Sequence, residues 1–221
     1  PLQSLFSHFA PSGLAPETFI TCYERFSKVN RMLKMEKMDV PTSKAYRLVY
    51  PQLVVLVSCV DSESGKPNII TVAWVTPLSI NPPMVGILIA PNRHSHDLIS
   101  RSKEFAVNIP TVELLEKTVR CGKVSGRMVD KFSNFGLTPK PGRVIKTPII
   151  EACVAHLECK VVDQVEVGDH TMFAGEVVAA YADDGVFDGQ LIDVGNVKQI
   201  YQVGGDTFTT LGKEKWTIKS H

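Results

Sequence analysis

Residues 53–60 read LVVLVSCV and residues 68–90 read NIITVAWVTPLSINPPMVGILIA. The first run is valine-rich and too short for an ordinary helix, which predicts a strand buried on both faces. A polar turn, Asp61-Ser62-Glu63-Ser64-Gly65-Lys66, follows it, and Asn68 to Thr76 forms the return strand. Pro77 and the pair Pro82-Pro83 bracket a loop, because proline lacks the N–H that a central strand needs. Met84 to Ala90 is a third strand, stopped by Pro91. Three strands within forty residues, joined by short turns, set an antiparallel sheet.

Downstream, helical patterns interrupt that sheet. Ser95 to Lys103 fits a short helix and Phe105 to Ile109 a strand. Thr111 is placed to cap a second helix, with Leu114, Leu115 and Val119 at helical spacing and Glu113 and Glu116 near its positive end. Gly126 to Phe135 suits another helical turn or two. After a loop between Pro139 and Pro148, long strands return at Cys153–Val165 and Thr171–Ala182, joined by a hairpin over Val165–His170. Shorter strands around Leu191–Val194, Gln199–Val203 and Thr207–Leu211 complete the pattern, with Gly204-Gly205-Asp206 as a turn. Strands do not alternate with helices, and no Gly-x-Gly-x-x-Gly occurs, which argues against a Rossmann site. The order predicts a mainly β, α+β chain: a closed antiparallel barrel with short helices inserted.

The chain has 221 residues, 44% of them hydrophobic and 21% charged, the range of a globular domain rather than a disordered or fibrous one. Lysine and arginine number 24 against 23 aspartates and glutamates, a net charge of +1. That balance excludes a nucleic-acid binder resting on a broad basic surface, though not one small basic pocket. The apolar runs are strand-sized, far short of the ~20 residues of a membrane helix, and no signal peptide is visible. The five cysteines (Cys22, Cys59, Cys121, Cys153, Cys159) contain no Cys-x-x-Cys. They read as buried reduced thiols of a cytoplasmic protein, a redox pair being the alternative. Residues 1–40 read as an extension, helical or open to processing, since the chain opens on Pro1. Residues 41–212 form the barrel domain and residues 213–221 a polar tail.

Three segments carry candidate chemistry. Pro91-Asn92-Arg93-His94-Ser95-His96-Asp97 leads from a strand into a helix, where free N–H groups and the dipole suit a phosphate. The plainer alternative is an N-cap by Asn92 or Ser95 beside a solvated Arg93. His94-x-His96 lacks nearby third and fourth ligands, so no metal site is expected. The second segment, Gly122 to Phe132, holds Arg127 and Lys131 four apart, on one face if helical; a surface ion pair with Asp130 is the alternative. If this cluster faces the Asn92–Ser95 loop, the two make one anion pocket. The third is Gly168-Asp169-His170 at the hairpin rim, where His170 either braces the turn with Asp169 or lines a pocket mouth. No Ser-His-Asp ordering supports hydrolysis.

Taken with NIITVAWVTPLSINPPMVGILIA, PNRHSHDLI, EFAVNIP, SGRMVDKF, VGDHTMFAGEVV and the late VGG turn, the sequence resembles the flavin reductase-like, FMN-binding split-barrel family, in particular its flavoredoxin-type branch. The resemblance runs from about Tyr46 to Leu211. It implies a six-stranded Greek-key split barrel acting as a homodimer, with FMN held noncovalently near the subunit interface. By the same resemblance, Ala73, Trp74, Val75 and Thr76 lie along the isoalloxazine. Asn92, Arg93, His94 and Ser95, with Arg127 and Lys131, form the phosphate side, and His170 positions flavin or nicotinamide. Met128 stands where the family often has an acidic residue. The function implied is an oxidoreductase taking hydride from NADH or NADPH onto FMN and passing electrons to a second acceptor. The alternative is a flavoredoxin-like carrier reduced by a partner protein. Neither nucleic acid nor membrane is an expected partner. A phosphomonoester carries about −1.5 to −2 charges near neutral pH, which a few local cations offset without changing the overall balance.

Overall fold

The computed structural model describes residues 37–216. Two compact units divide the chain, Pro1–Ala45 and Tyr46–His221. Of the first, only residues 37–45 are described; they are exposed and enter a 3-10 helix, Thr42–Val49. The expected helices before residue 37, and Cys22, lie outside the described residues.

Among the described residues the second unit carries twelve strands and three short α-helices. The strands are β1 (Gln52–Leu53), β2 (Val55–Val60), β3 (Pro67–Val72), β4 (Val75–Ser79), β5 (Met84–Ile89), β6 (Glu104–Ile109), β7 (Pro139–Lys140), β8 (Ile149–Ile150), β9 (Ala155–Val167), β10 (His170–Ala182), β11 (Tyr201–Gly204) and β12 (Thr207–Thr209). The helices are α1 (His94–Ser102), α2 (Leu115–Lys123) and α3 (Lys131–Phe135). Seven strands form one antiparallel sheet in the order β3-β2-β6-β9-β10-β5-β4. A flat sheet would hold β3 and β4 six strand spacings apart, about 29 Å. Yet only Ala73 and Trp74 separate Val72 from Val75, and three extended residue steps span at most ~11 Å. The sheet must therefore roll up until its two ends meet. Counted along the chain, β3 and β4 are one broken strand, so seven hydrogen-bonded strands make the expected six-stranded split barrel.

The valine run behaves as its composition requires. All six residues of β2 are buried. Val55, Val57 and Cys59 face a core with Ile87, Leu98, Ile99, Phe105 and Phe173. Leu56 faces the opposite cluster with Ile69, Cys121, Phe132, Phe135 and Ile150, where α2 and α3 cover the sheet. Gly175 sits at a register shift between β9 and β10, where an added Cβ would lie 2.5 Å from the Phe105 ring. The four described cysteines are buried free thiols. Burial pushes Cys59 and Cys121 up to about 11 and Cys159 to about 12, so they are packing residues rather than nucleophiles.

Several local expectations change. The helical turn expected within Gly126 to Phe135 is confined to its end: the Asp130 carboxylate accepts from Phe132 and Ser133 N–H, starts α3 there, and Gly136 ends it at φ 58. Thr111 makes no side-chain cap, and a 3-10 turn, Val112–Leu114, precedes α2. Leu191–Val194 forms an isolated bridge instead of a strand. There Asp188 accepts from Gln190 and Leu191 N–H, and Asp193 from Gly195 and Asn196 N–H, drawing the backbone into Asx turns. Among the described residues no helix is long and apolar enough to cross a membrane.

Candidate functional site

The break in β3/β4 opens a cavity of 290 Å³ beside it, at the low end of the ~300–1,000 Å³ usual for ligand pockets. Its walls are Ile70 to Trp74 on one side and Leu88 to Ala90 on the other, with Tyr50, His170 and Gln202 at the rim. Trp74 O accepts from Leu88 N–H at 3.0 Å, which pins the crossover to β5. The indole is held in turn: its Nε1–H donates to Tyr50 Oη at 3.3 Å, and the His170 ring lies 4.6 Å from it at 42°. Tyr46 packs edge-on at 5.9 Å. His170 Nδ1 is 2.7 Å from the Asp169 carboxylate. That hydrogen bond and the imidazole's charge hold Asp169 below the usual carboxylate range.

A second cavity, 190 Å³, adjoins the first along Ile70, Asn92 and Arg93. It lies at the start of α1 and is also lined by Asn68, His94, Ser95, Ser125, Gly126 and Lys131. The helix begins without a side-chain cap, so the alternative of an Asn92 or Ser95 cap is not what the chain adopts. The Ser95 hydroxyl instead accepts from Asn68 Nδ2 at 2.8 Å, so the first N–H groups of α1 remain available. Arg93 has no carboxylate partner among the described residues. His94 Nδ1 is buried without a hydrogen-bond partner. Burial first, then the Arg127 charge, lowers the His94 pKa below the ordinary imidazole value. The ring is therefore neutral near pH 7, with a ring nitrogen to spare.

The structure sorts the sequence-derived residues. Ala73, Trp74 and His170 meet in the first cavity, His94, Ser95 and Lys131 in the second, and Asn92 and Arg93 line both. Val75 and Thr76 reach neither. Once the strand crosses to pair with β5, Val75 packs on the inner core and Thr76 is exposed. Arg127 lies outside the lining: it pairs with Asp97 and donates to Asn92 O at 3.4 Å. The second basic segment thus faces the Asn92–Ser95 loop, but Arg127 braces that loop and Asp130 caps α3 rather than forming an ion pair with it. Lys131 is 4% exposed, and its Nζ donates to Ile69 O at 2.7 Å and Cys121 O at 2.6 Å. Of its three donors one remains. Tyr50, Asn68 and Gln202 were not foreseen. Asn68, a polar residue inside an apolar strand, was the one readable hint. His96 turns away to Thr171 Oγ1 at 2.9 Å, and no cluster able to hold a metal ion occurs among the described residues.

A cavity at the break between strand ends, adjoining a pocket at a helix start, sits in a barrel of the split-barrel class. The chain belongs to the flavin reductase like domain family, whose description matches residues 46–201. An uncharacterized protein of Archaeoglobus fulgidus is 38% identical over 151 residues, 68% of this chain and 85% of its own. An NADH-dependent FAD reductase of Streptomyces globisporus is 30% identical over 147 residues, 66% of this chain and 79% of its own. Flavoredoxin from Methanosarcina acetivorans superposes with a TM-score of 0.74 at 29% identity, covering 83% of this chain and 95% of that one.

Proposed function

We propose that this protein binds FMN noncovalently and works as an NAD(P)H-dependent flavin oxidoreductase that delivers electrons to a second acceptor. The observation carrying this is the continuity of the two cavities through Ile70, Asn92 and Arg93. A flavin mononucleotide has the same two parts, an apolar planar ring and a phosphate on a short chain. The residues fit it: Arg93 without a counterion, the uncapped start of α1 and the spare His94 nitrogen suit a phosphate. The Ile70–Trp74 wall and Trp74 itself suit the ring. When bound, the flavin supplies hydride and one-electron chemistry that no side chain can.

This chain's residues then bind, orient and shield. Trp74, fixed by Tyr50 and His170, gives the slot a rigid rim. His170, held by Asp169, orients a nicotinamide at the open face, where alignment matters more than a base. A homodimer would close that face, and a reducing cytoplasm suits the buried thiols. The test is the visible spectrum of the purified protein, then an anaerobic titration with NADH and NADPH. Flavin peaks and rapid bleaching by either coenzyme are expected; a colourless protein that takes up no added FMN overturns the reading.

The likeness to a flavoredoxin supports a second reading, an electron carrier reduced by a partner protein. Slow bleaching by both coenzymes with fast reduction by a low-potential redox protein would select it.

A further inference from the structure

Between α2 and α3 the chain makes a loop with a pinned base and a loosely fastened tip. At the base, the Lys131 ammonium donates to Cys121 O at 2.6 Å and to Ile69 O at 2.7 Å. The end of α2 and the start of α3 are thus tied to each other and to β3, as the closed neck of an Ω-loop requires. The tip is different. The backbone of residues 125–129 bonds only within itself, Met128 and Val129 N–H donating to Ser125 O. Val124 and Met128 are exposed. Among the described residues, the hydrogen bonds and ion pairs that leave the tip come from two side chains. Lys123 pairs with Asp206 at 2.9 Å, and Arg127 pairs with Asp97 and donates to Asn92 O at 3.4 Å.

We propose that this loop is a strap over the α1 pocket, held shut by the two ion pairs, and that its opening sets how fast the flavin phosphate enters and leaves. This rests on the flavin reading above. The loop is placed for the task. Gly122 to Gly126 all line the α1 pocket, and Gly126, which has no Cβ, lies directly against Asn68. The two pairs fasten the tip to separate elements: Asp97 is in the first turn of α1, and Asp206 is in the turn between β11 and β12.

Neither fastening is strong. The four charged side chains are 46–74% exposed, and an exposed pair shifts an equilibrium by only about twofold to fivefold. Lys123 and Asp206 also border a third cavity, of 180 Å³, which Val119 and Phe208 line where the hairpin meets α2. Their pair therefore lies beside open space rather than in a packed interface. Opening the tip breaks two weak pairs and one long hydrogen bond while Lys131 keeps the base closed, which costs far less than global unfolding.

The sign of the effect separates a latch from simple charge. Asp97 and Asp206 do not line the α1 pocket. If charge alone acted, neutralising either would favour an anion there and slow its release. If they hold a strap, neutralising either frees the path in both directions.

The test is stopped-flow association and dissociation of FMN with the full chain, for the wild type, Asp97→Asn, Asp206→Asn and the double variant, with amide hydrogen exchange of the ligand-free proteins beside it. Each single variant should raise both rate constants by about twofold to fivefold and the double variant by about 5- to 20-fold. Amides of residues 125–129 should exchange faster in the variants, with those of β3 unchanged. Slower release overturns the proposal, as do faster release with unchanged association and rates that do not move. A wild type that takes up no FMN overturns the flavin reading instead. Hydrogen exchange then still decides on the latch, and exchange at residues 125–129 that no variant speeds overturns it.

Discussion

Replacing Lys131 with methionine separates two roles that the sequence merges. The side chain is buried, and its ammonium joins three elements: it starts α3 and holds carbonyls of β3 (Ile69) and α2 (Cys121) at 2.7 and 2.6 Å. Methionine keeps the length and the packing but leaves both carbonyls without that donor. A hydrogen bond to a charged group contributes ~1.5–3 kcal/mol. Burying the ammonium costs part of this back, consistent with burial pushing the Lys131 pKa below the usual lysine value. We therefore expect Lys131→Met to destabilise the ligand-free protein by about 2–4 kcal/mol, the two lost bonds less the recovered desolvation. In a domain of this size that lowers Tm by roughly 5–15 °C. Urea and thermal unfolding of the ligand-free protein measure the loss, and an FMN titration below the melting range measures affinity. One donor and one charge removed from the pocket edge should cost FMN about three- to tenfold. Stability within about 0.5 kcal/mol of wild type, together with affinity down a hundredfold or more, would refute the clamp and make the amine a direct phosphate ligand.

Arg93→Ala should weaken FMN by about 10- to 100-fold through loss of a charge-assisted contact and leave riboflavin unchanged, read by fluorescence quenching with the two ligands. Glu158 is fully buried and accepts from Arg143, Val144 and Ile145 N–H and from Tyr181 Oη. Burial alone would raise its pKa, but those four donors outweigh it and hold the carboxyl below its usual value. Because the unfolded chain then binds the proton more readily, this stabilisation is present above the unfolded pKa and lost as pH falls through the folded one. Glu158→Gln should lose about 2–3 kcal/mol at pH 7 and show a shallower decline on acidification; parallel urea stability curves between pH 7 and 3 would count against it. Gly126→Ala would place a Cβ 2.1 Å from Asn68 Oδ1, so Asn68 must give up Ser95. A loss of about 1–3 kcal/mol with weaker FMN binding is expected, and wild-type behaviour in both would show that Asn68 does not shape the pocket.

What could be read in advance follows from which forces are local. The buried strands declared themselves because β2 must satisfy two apolar faces at once, Val55 and Val57 inward and Leu56 outward. The hairpin between β9 and β10 was legible for a similar reason: Gly168, at φ 62, marks the turn. The site was legible as a set of segments but not as a surface. Nothing local in NIITVAWVT says that the strand breaks after Val72, because the break is forced by pairing with β5. Ala73 and Trp74 therefore line the cavity at the break, while Val75 and Thr76, past the crossover, do not. Arg127 and Asp97 are thirty residues apart, so their pairing could not be read from spacing. The burial of Lys131 was not legible, since the carbonyls that hold it, of Ile69 and Cys121, come from a strand and a helix that meet only in the fold. Gln202 and Phe208 lie on the late hairpin, which carried no chemical signal.

The position of the site follows from the way the barrel closes. A barrel in which every strand pairs with both neighbours has no free edge to offer. Here the two ends of the sheet are consecutive segments of one run that point the same way, and a parallel pair needs a crossover far longer than two residues. Ala73 and Trp74 instead carry the chain across the seam, and β3 and β4 are left as edges. Such edges present backbone donors and acceptors, and the cavity lined by Ile70 to Trp74 and Leu88 to Ala90 opens beside them. The same crossover places Ile70 beside the start of α1, because β5 leads directly into the Pro91–Arg93 turn. The two adjoining cavities thus come from a single topological event, the strand break and the turn after β5 brought together as the barrel closes, which no side-chain motif records.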